Sequence, residues 1–314
     1  MMAAIALGGC VHQFPDGDGT DPTLVRVAIN VTPGDDLLPL DGNAAKPRAG
    51  ERAARRLVIE ARREGKTVDR QVILAVINAA GEPTFPVTLR LHALDYTLVA
   101  WCDNGEAATG NDLHYNTSNL SLVTRATPGD GNTNERDCLR GSIPLDLREY
   151  RDTWNAGVNV TLPLDRPIAR HELVATDARQ FLESRTAGET YTVTVAYGFY
   201  FPLGCNAVTG EPERSTMNVT FTVPLDITDD GSGEMLVASD NIFTGNEASY
   251  LPVSIEIKDS KGKSVSRTTG INVAYQRGRV TTVRGRFLTN RFDTGVGIDP
   301  DFDDDDINID IDEM

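Results

Sequence analysis

Only four cysteines and four histidines occur in 314 residues, and aromatic side chains make up 6% of them. The histidines are His12, His92, His114 and His171, and none stands in metal-ligand spacing to another. No Gly-x-Ser-x-Gly elbow and no phosphate-binding loop is present. Aspartates are abundant but crowd into the C-terminal tail, which is not the fixed pair of carboxylates that a glycosidase needs. Catalysis, a metal site and a bound cofactor are therefore not expected. There is also no run of about 18 apolar residues, so no helix is expected to cross a membrane. Basic residues are outnumbered: 30 Lys and Arg against 46 Asp and Glu leave a formal net charge of −16. A chain of that sign repels a polyanion, so nucleic acid is not an expected partner.

The cysteines are too few for a disulfide framework. With Cys10 set apart at the N-terminus, an odd number is left. A Cys102–Cys138 bridge stands open in oxidising surroundings, against the alternative of buried free thiols.

What the sequence does contain is a succession of short β-branched and aromatic runs punctuated by Gly, Pro, Asn and Asp, the pattern of all-β sandwiches. The length exceeds what a single core usually holds, which points to two domains. The expected division is a leader and tether over 1–23, an N-terminal sandwich over 24–153, a C-terminal sandwich over 154–290 and an acidic tail over 291–314.

Val25, Val27, Ile29 and Val31 alternate cleanly and predict the first strand. Glu51–Gly65 fits a helix or a strand equally. Pro86–Leu91 and Tyr96–Cys102 read as two arms of a hairpin. Val158, Val160, Leu162 and Leu164 alternate with polar residues, while Pro163 and Pro167 keep that strand out of the middle of a sheet, as an edge or first strand with a bend at Asp165–Ile168. Ala169–Glu183 is expected to be helical or irregular. Tyr191, Val193, Val195, Tyr197 and Phe199 predict one shared face, either sandwich core or an aromatic platform for glycans.

The tail from Phe292 to Met314 has ten acidic residues and no basic one. A calcium loop over Asp301–Asp312 fails at its sixth position, where Asp306 replaces the needed glycine. Ile307, Ile309 and Ile311 alternate with Asn308, Asp310 and Asp312, a strand with one apolar face. It can add to a partner's open sheet edge or to this protein's own sheet.

Met1–Cys10, MMAAIALGGC, has the shape of a lipoprotein signal, although no Lys or Arg precedes its apolar segment. Leu7–Cys10 resembles a lipobox, and acyl chains on Cys10 would anchor the processed protein.

Five passages in order, LGGC at Leu7–Cys10, YTLVAWCDN at Tyr96–Asn104, RDCLRG at Arg136–Gly141, LDRPIARHELVATD at Leu164–Asp177 and FPLGCNAVTGEP at Phe201–Pro212, resemble the FimB/Mfa-type fimbrial anchor lipoproteins. These are fimbrillin-like surface proteins of Gram-negative anaerobes, of the type V pilus system. The resemblance implies two tandem transthyretin-like Greek-key β-sandwich domains behind a lipid-bearing Cys10, carrying a diacylglyceryl group and an N-acyl chain. It also implies an outer-membrane location at the base of a fimbrium, with the stalk subunit held by strand addition and fimbrial length limited. Cys10 is the one residue whose role transfers by motif, and Cys102 departs from the family pattern. The alternative is a cell-surface glycan-binding or host-adhesive lipoprotein, or a tip adhesin, on the same scaffold.

Overall fold

The computed structural model describes residues 23–34, 53–127, 129, 131–186, 188–228 and 231–290, and the backbone of 307–310. The first half of the chain forms β1 (Leu24–Pro33), β2 (Ala53–Arg63), β3 (Lys66–Leu74), β4 (Val76–Ile77), β5 (Pro83–Thr84), β6 (Val87–His92), β7 (Asp95–Glu106), β8 (Tyr115–Asn116), β9 (Val123–Arg125), β10 (Leu139–Asp146) and β11 (Gly157–Leu164). The second half forms β12 (Ile168–Ala175), α1 (Ala178–Ser184), β13 (Tyr191–Tyr197), β14 (Phe201–Cys205), β15 (Pro212–Thr216), β16 (Thr220–Pro224), β17 (Met235–Phe243), β18 (Ser249–Asp259), β19 (Ser264–Tyr275), β20 (Val280–Gly285) and β21 (Ile307–Asp310).

Sheets β11-β1-β6 and β10-β7-β2-β3 enclose the first core. Val25, Val27 and Ile29 point into it from β1, as their alternation predicts. The segment that fitted a helix or a strand is β2, and it turns at Glu64 and Gly65 into β3. Both turn residues have positive φ, 51° and 75°, which is what a tight two-residue hairpin requires.

The predicted β6–β7 hairpin does not form. β6 pairs with β1, whereas β7 pairs with β2 and β10, so the chain changes sheets at Ala93 and Leu94. Neither residue suits a hairpin turn, and Ala93 is buried in the core.

β11 lies at a sheet edge, the place its Pro163 suits, and the chain bends after it. It runs parallel to β1, with Val27 opposite Val158. It therefore belongs to the first sandwich, and the expected boundary at 153/154 moves beyond Leu164.

Sheets β17-β12-β20-β21 and β16-β13-β18-β19 enclose the second core. The connectivity repeats that of the first: the opening strand pairs antiparallel with one neighbour (β6, β17) and parallel with the other (β11, β20). Ile168–Ala175 was expected to be helical or irregular over most of its length and is instead a strand buried at all eight positions. The helix is confined to α1. Tyr191, Val193, Val195 and Tyr197 face the core, but Phe199 leaves that face. Its φ is 56°, and it projects outward with 71% of its surface exposed.

Candidate functional site

A fourth four-stranded sheet, β15-β14-β9-β8, is shared by the two halves: Gly204 and Cys205 of β14 pair with Thr124 and Val123 of β9. Beneath it lies a third core in which Val58, Val99, Trp101, Tyr115 and Val123 meet Ile168, Cys205, Ala207 and Phe243. Trp101 and Tyr115 pack edge to face at 5.4 Å, and Tyr115 lies 5.7 Å from Phe243. Such burial of large rings from both halves opposes their separation through the hydrophobic effect.

Four of the five passages singled out in the sequence build this joint. Arg166 and Asp137 form a two-pronged pair at 2.7 and 3.2 Å. Arg140 donates one hydrogen bond to Asp165 at 2.9 Å, with its Nε in ionic contact with the other oxygen at 2.8 Å. RDCLRG and LDRPIAR thus exchange an acid and a base in each direction, and the Arg166–Asp137 pair has the two-pronged geometry in which guanidinium and carboxylate bind most strongly. FPLGCNAVTGEP adds backbone acceptors: Arg140 donates to the Val208 carbonyl, and Arg277 donates to that of Gly210. From YTLVAWCDN come Trp101 and the buried Asp103, which accepts from Arg56 at 2.7 Å.

Gly141 lets β10 approach β11. A Cβ there would lie 2.5 Å from the Pro163 carbonyl oxygen and 2.8 Å from the Leu164 side chain. Gly141→Ala is expected to lower stability by about 1–3 kcal/mol through overpacking, measured as a lower urea midpoint at unchanged far-UV circular dichroism.

Behind the clasp is a buried polar network. Arg125 of β9 donates to both Asp240 oxygens at 3.0 and 3.1 Å, and the Tyr197 hydroxyl donates to Asp240 at 2.8 Å. A second guanidinium, that of Arg136, lies 3.9 Å from the same carboxylate. Arg125 also sits 5.1 Å above the Phe201 ring. His171 shares a hydrogen bond of 3.0 Å with Tyr275, and Arg170 pairs with Glu172 at 3.0 Å. Burial pushes the Tyr197 phenol well above its ordinary range, reinforced by Asp240, and holds the His171 imidazole down to about 4.

The Cys102–Cys138 bridge is not formed. Both thiols are free and buried, and they belong to different cores, Cys102 to the first sandwich and Cys138 to the joint. The intervening sheet keeps them apart. Burial pushes Cys102 up to about 11 and Cys205 up to about 12, so neither is a nucleophile at neutral pH. Cys10 and Ile311 lie outside the described residues. Ile307 and Ile309 are in β21, which runs parallel to β20 at the edge of this protein's own sheet, Ile307 opposite Thr281 and Ile309 opposite Val283. Among the described residues no cluster of His, Cys, Asp and Glu is placed to hold a metal ion, and no helix is long and apolar enough to cross a membrane.

The sequence reading missed Arg125, Asp240 and His171. The available signal was charge inside strands that also carry apolar residues, as in Arg170–Glu172 and Asp240–Asn241.

Fold and clasp define a protein of two β-sandwiches fused through a shared sheet and a common core. The chain belongs to a family of unknown function, DUF6562, whose model matches residues 24–312. No curated protein matches it. Among solved structures it is similar to the fimbrial anchor protein Mfa2 from Porphyromonas gingivalis, at 13% identity and a TM-score of 0.45, covering 78% of this chain and 82% of that one. It is also similar to a candidate cell adhesion protein from Bacteroides eggerthii, at 11% identity and a TM-score of 0.45, covering 94% and 100%. A candidate adhesin from Bacteroides ovatus matches at 14% identity and a TM-score of 0.41, covering 78% and 75%.

Proposed function

We propose that this chain is a surface-anchored structural subunit of a fimbrium, with two transthyretin-like Greek-key sandwiches acting as one stiff body. The observation that carries the reading is the clasp. Four of the passages that resemble fimbrial anchors converge on a joint closed by ring packing and reciprocal ion pairs, which suits a part that transmits pull. A diacylglyceryl group and an N-acyl chain on Cys10 hold the protein in the outer membrane, two or more chains giving stable anchoring where one does not.

The stalk subunit pairs by strand addition. Two surfaces can serve. One is the free edge at β3, where Val68 and Val72, followed by Val76 and Ile77 of β4, are exposed; an apolar edge of this kind is a template for another chain. The other is the Ile307, Ile309 and Ile311 strand, released from β20 and donated.

Cells carrying Cys10→Ala are expected to lose the protein from the membrane fraction and to shed most of their fimbriae into the medium. Quantifying cell-bound against shed fimbriae tests this directly; fimbriae that stay attached while the protein leaves the membrane would rule out the anchoring role.

A further inference from the structure

Where β13 ends, the chain turns sharply outward beside the start of β18. The Gly198 amide donates to the Pro252 carbonyl at 2.8 Å, and the next two residues, Phe199 and Tyr200, are 71% and 70% exposed. A cleft of about 400 Å3 opens here. Tyr200 and Tyr250 line it together with Glu213, Arg214 and Ser215 of β15, and with Thr244 just beyond β17. Its size lies within the ~300–1,000 Å3 of small-molecule sites.

We propose that this cleft binds a saccharide, a role separate from the anchoring function and independent of it. Two observations support it. First, Phe199, the chain neighbour of the lining Tyr200, and Arg214 in the lining both hold a φ of 56°, a left-handed backbone that such side chains rarely adopt. Strain of this kind persists where the surrounding structure enforces it, and it concentrates at binding sites. Here it turns Tyr200 away from the core that takes Tyr197 and Phe201 on either side.

Second, the lining has the two-sided chemistry of a pyranose ring. A tyrosine offers a flat apolar face with a polar tip, matching the C–H face and hydroxyl rim of a sugar. Glu213 supplies an acceptor, while Arg214 and Ser215 supply donors. Glu213 is held by Asn206 at 2.8 Å.

A protein partner fits less well, because a stable interface buries ~800 Å2 on each side, over a broader face than this concavity. The net charge of −16 disfavours nucleic acid.

The test uses the purified full chain on a printed array of neutral and uronic-acid-containing oligosaccharides, followed by calorimetric titration of the strongest binder. Tyr200→Ala is expected to weaken that binding at least tenfold with the melting temperature unchanged, because Tyr200 is exposed. Tyr200→Phe should retain most of the affinity, and Val72→Ser, remote on β3, should retain all of it. The proposal is overturned if no oligosaccharide binds wild type above a Tyr200→Ala/Tyr250→Ala variant, or if bound sugar is insensitive to both. It is equally overturned if the array stays silent while Tyr200→Ala reduces fimbrial incorporation, which would make the cleft a subunit contact.

Discussion

Asp240→Asn is expected to destabilise the protein by about 3–5 kcal/mol, the cost of leaving a buried guanidinium without its carboxylate. Arg125 and Asp240 are both almost fully buried, 2% and 1% exposed at the side chain. Water therefore cannot take over when one charge is removed. The asparagine also turns one of its two polar atoms from an acceptor into a donor, facing Arg125 and the Tyr197 hydroxyl, which need acceptors. Arg136 then lies near a second positive group with no carboxylate between them. Urea titration in a Trp154→Phe background, followed by fluorescence and by far-UV circular dichroism, measures the loss, and Trp101 reports on the joint itself because it is fully buried there. Loss of fluorescence ahead of the circular dichroism would show the joint opening before the sandwiches unfold. Replacing both partners, Arg125→Met with Asp240→Leu, should recover part of the loss, since the Arg125 charge leaves with its carboxylate while Arg136 and the Tyr197 hydroxyl still lose Asp240. A change below about 1 kcal/mol in Asp240→Asn would mean that Arg125 finds other acceptors.

The strands most legible in the sequence are those with one face on a sandwich core and the other on solvent. β1 and β13 alternate for that reason, and their buried residues are the ones the period selects. β2 and β12 escaped because both of their faces are covered. In β2, Leu57 and Ile59 enter the first core while Val58 enters the joint, which erases the alternation. In β12 the covered faces also contain Arg170, His171 and Glu172, charges that suggest a surface until their partners are known. Arg170 and Glu172 pair with each other, but His171 meets Tyr275 across 104 residues, and the joint's own pairs are also remote: Asp137 and Arg166 are 29 residues apart, and Arg125 and Asp240 are 115 apart. The passages RDCLRG and LDRPIAR were visible, but nothing local shows that they grip one another. The same holds for the domain boundary, because the pairing of β11 with β1 joins strands from opposite ends of the first sandwich. At Phe199 the apolar alternation runs on while the backbone reverses, so the pattern placed in the core a ring that points outward.

His171 should make the protein acid-sensitive between about pH 6.5 and pH 4. Burial is the main cause of its lowered pKa of about 4, with Arg170 and Arg125 acting in the same direction and Asp240 against it. The imidazole is therefore neutral in the folded protein across that window, hydrogen-bonded to Tyr275 and edged by the Tyr197 ring at 6.0 Å. In the unfolded chain it returns to its ordinary value of 6.5 and takes up a proton as the pH falls. The unfolded state then binds more protons than the folded state, so stability falls with falling pH, by about 3 kcal/mol across the window. Above pH 7 the residue contributes no slope. Below about pH 4 both states are protonated and its contribution levels off. His171→Gln removes this titration, so the difference in unfolding free energy between wild type and variant should change by that amount between pH 7 and pH 4. Carboxylates that titrate in both proteins cancel from the difference. A constant difference would assign the acid sensitivity to those carboxylates instead. A changing one places it in β12, beside the Arg125–Asp240 pair, where protonation sets a third positive charge against one carboxylate and weakens the network that joins the two halves.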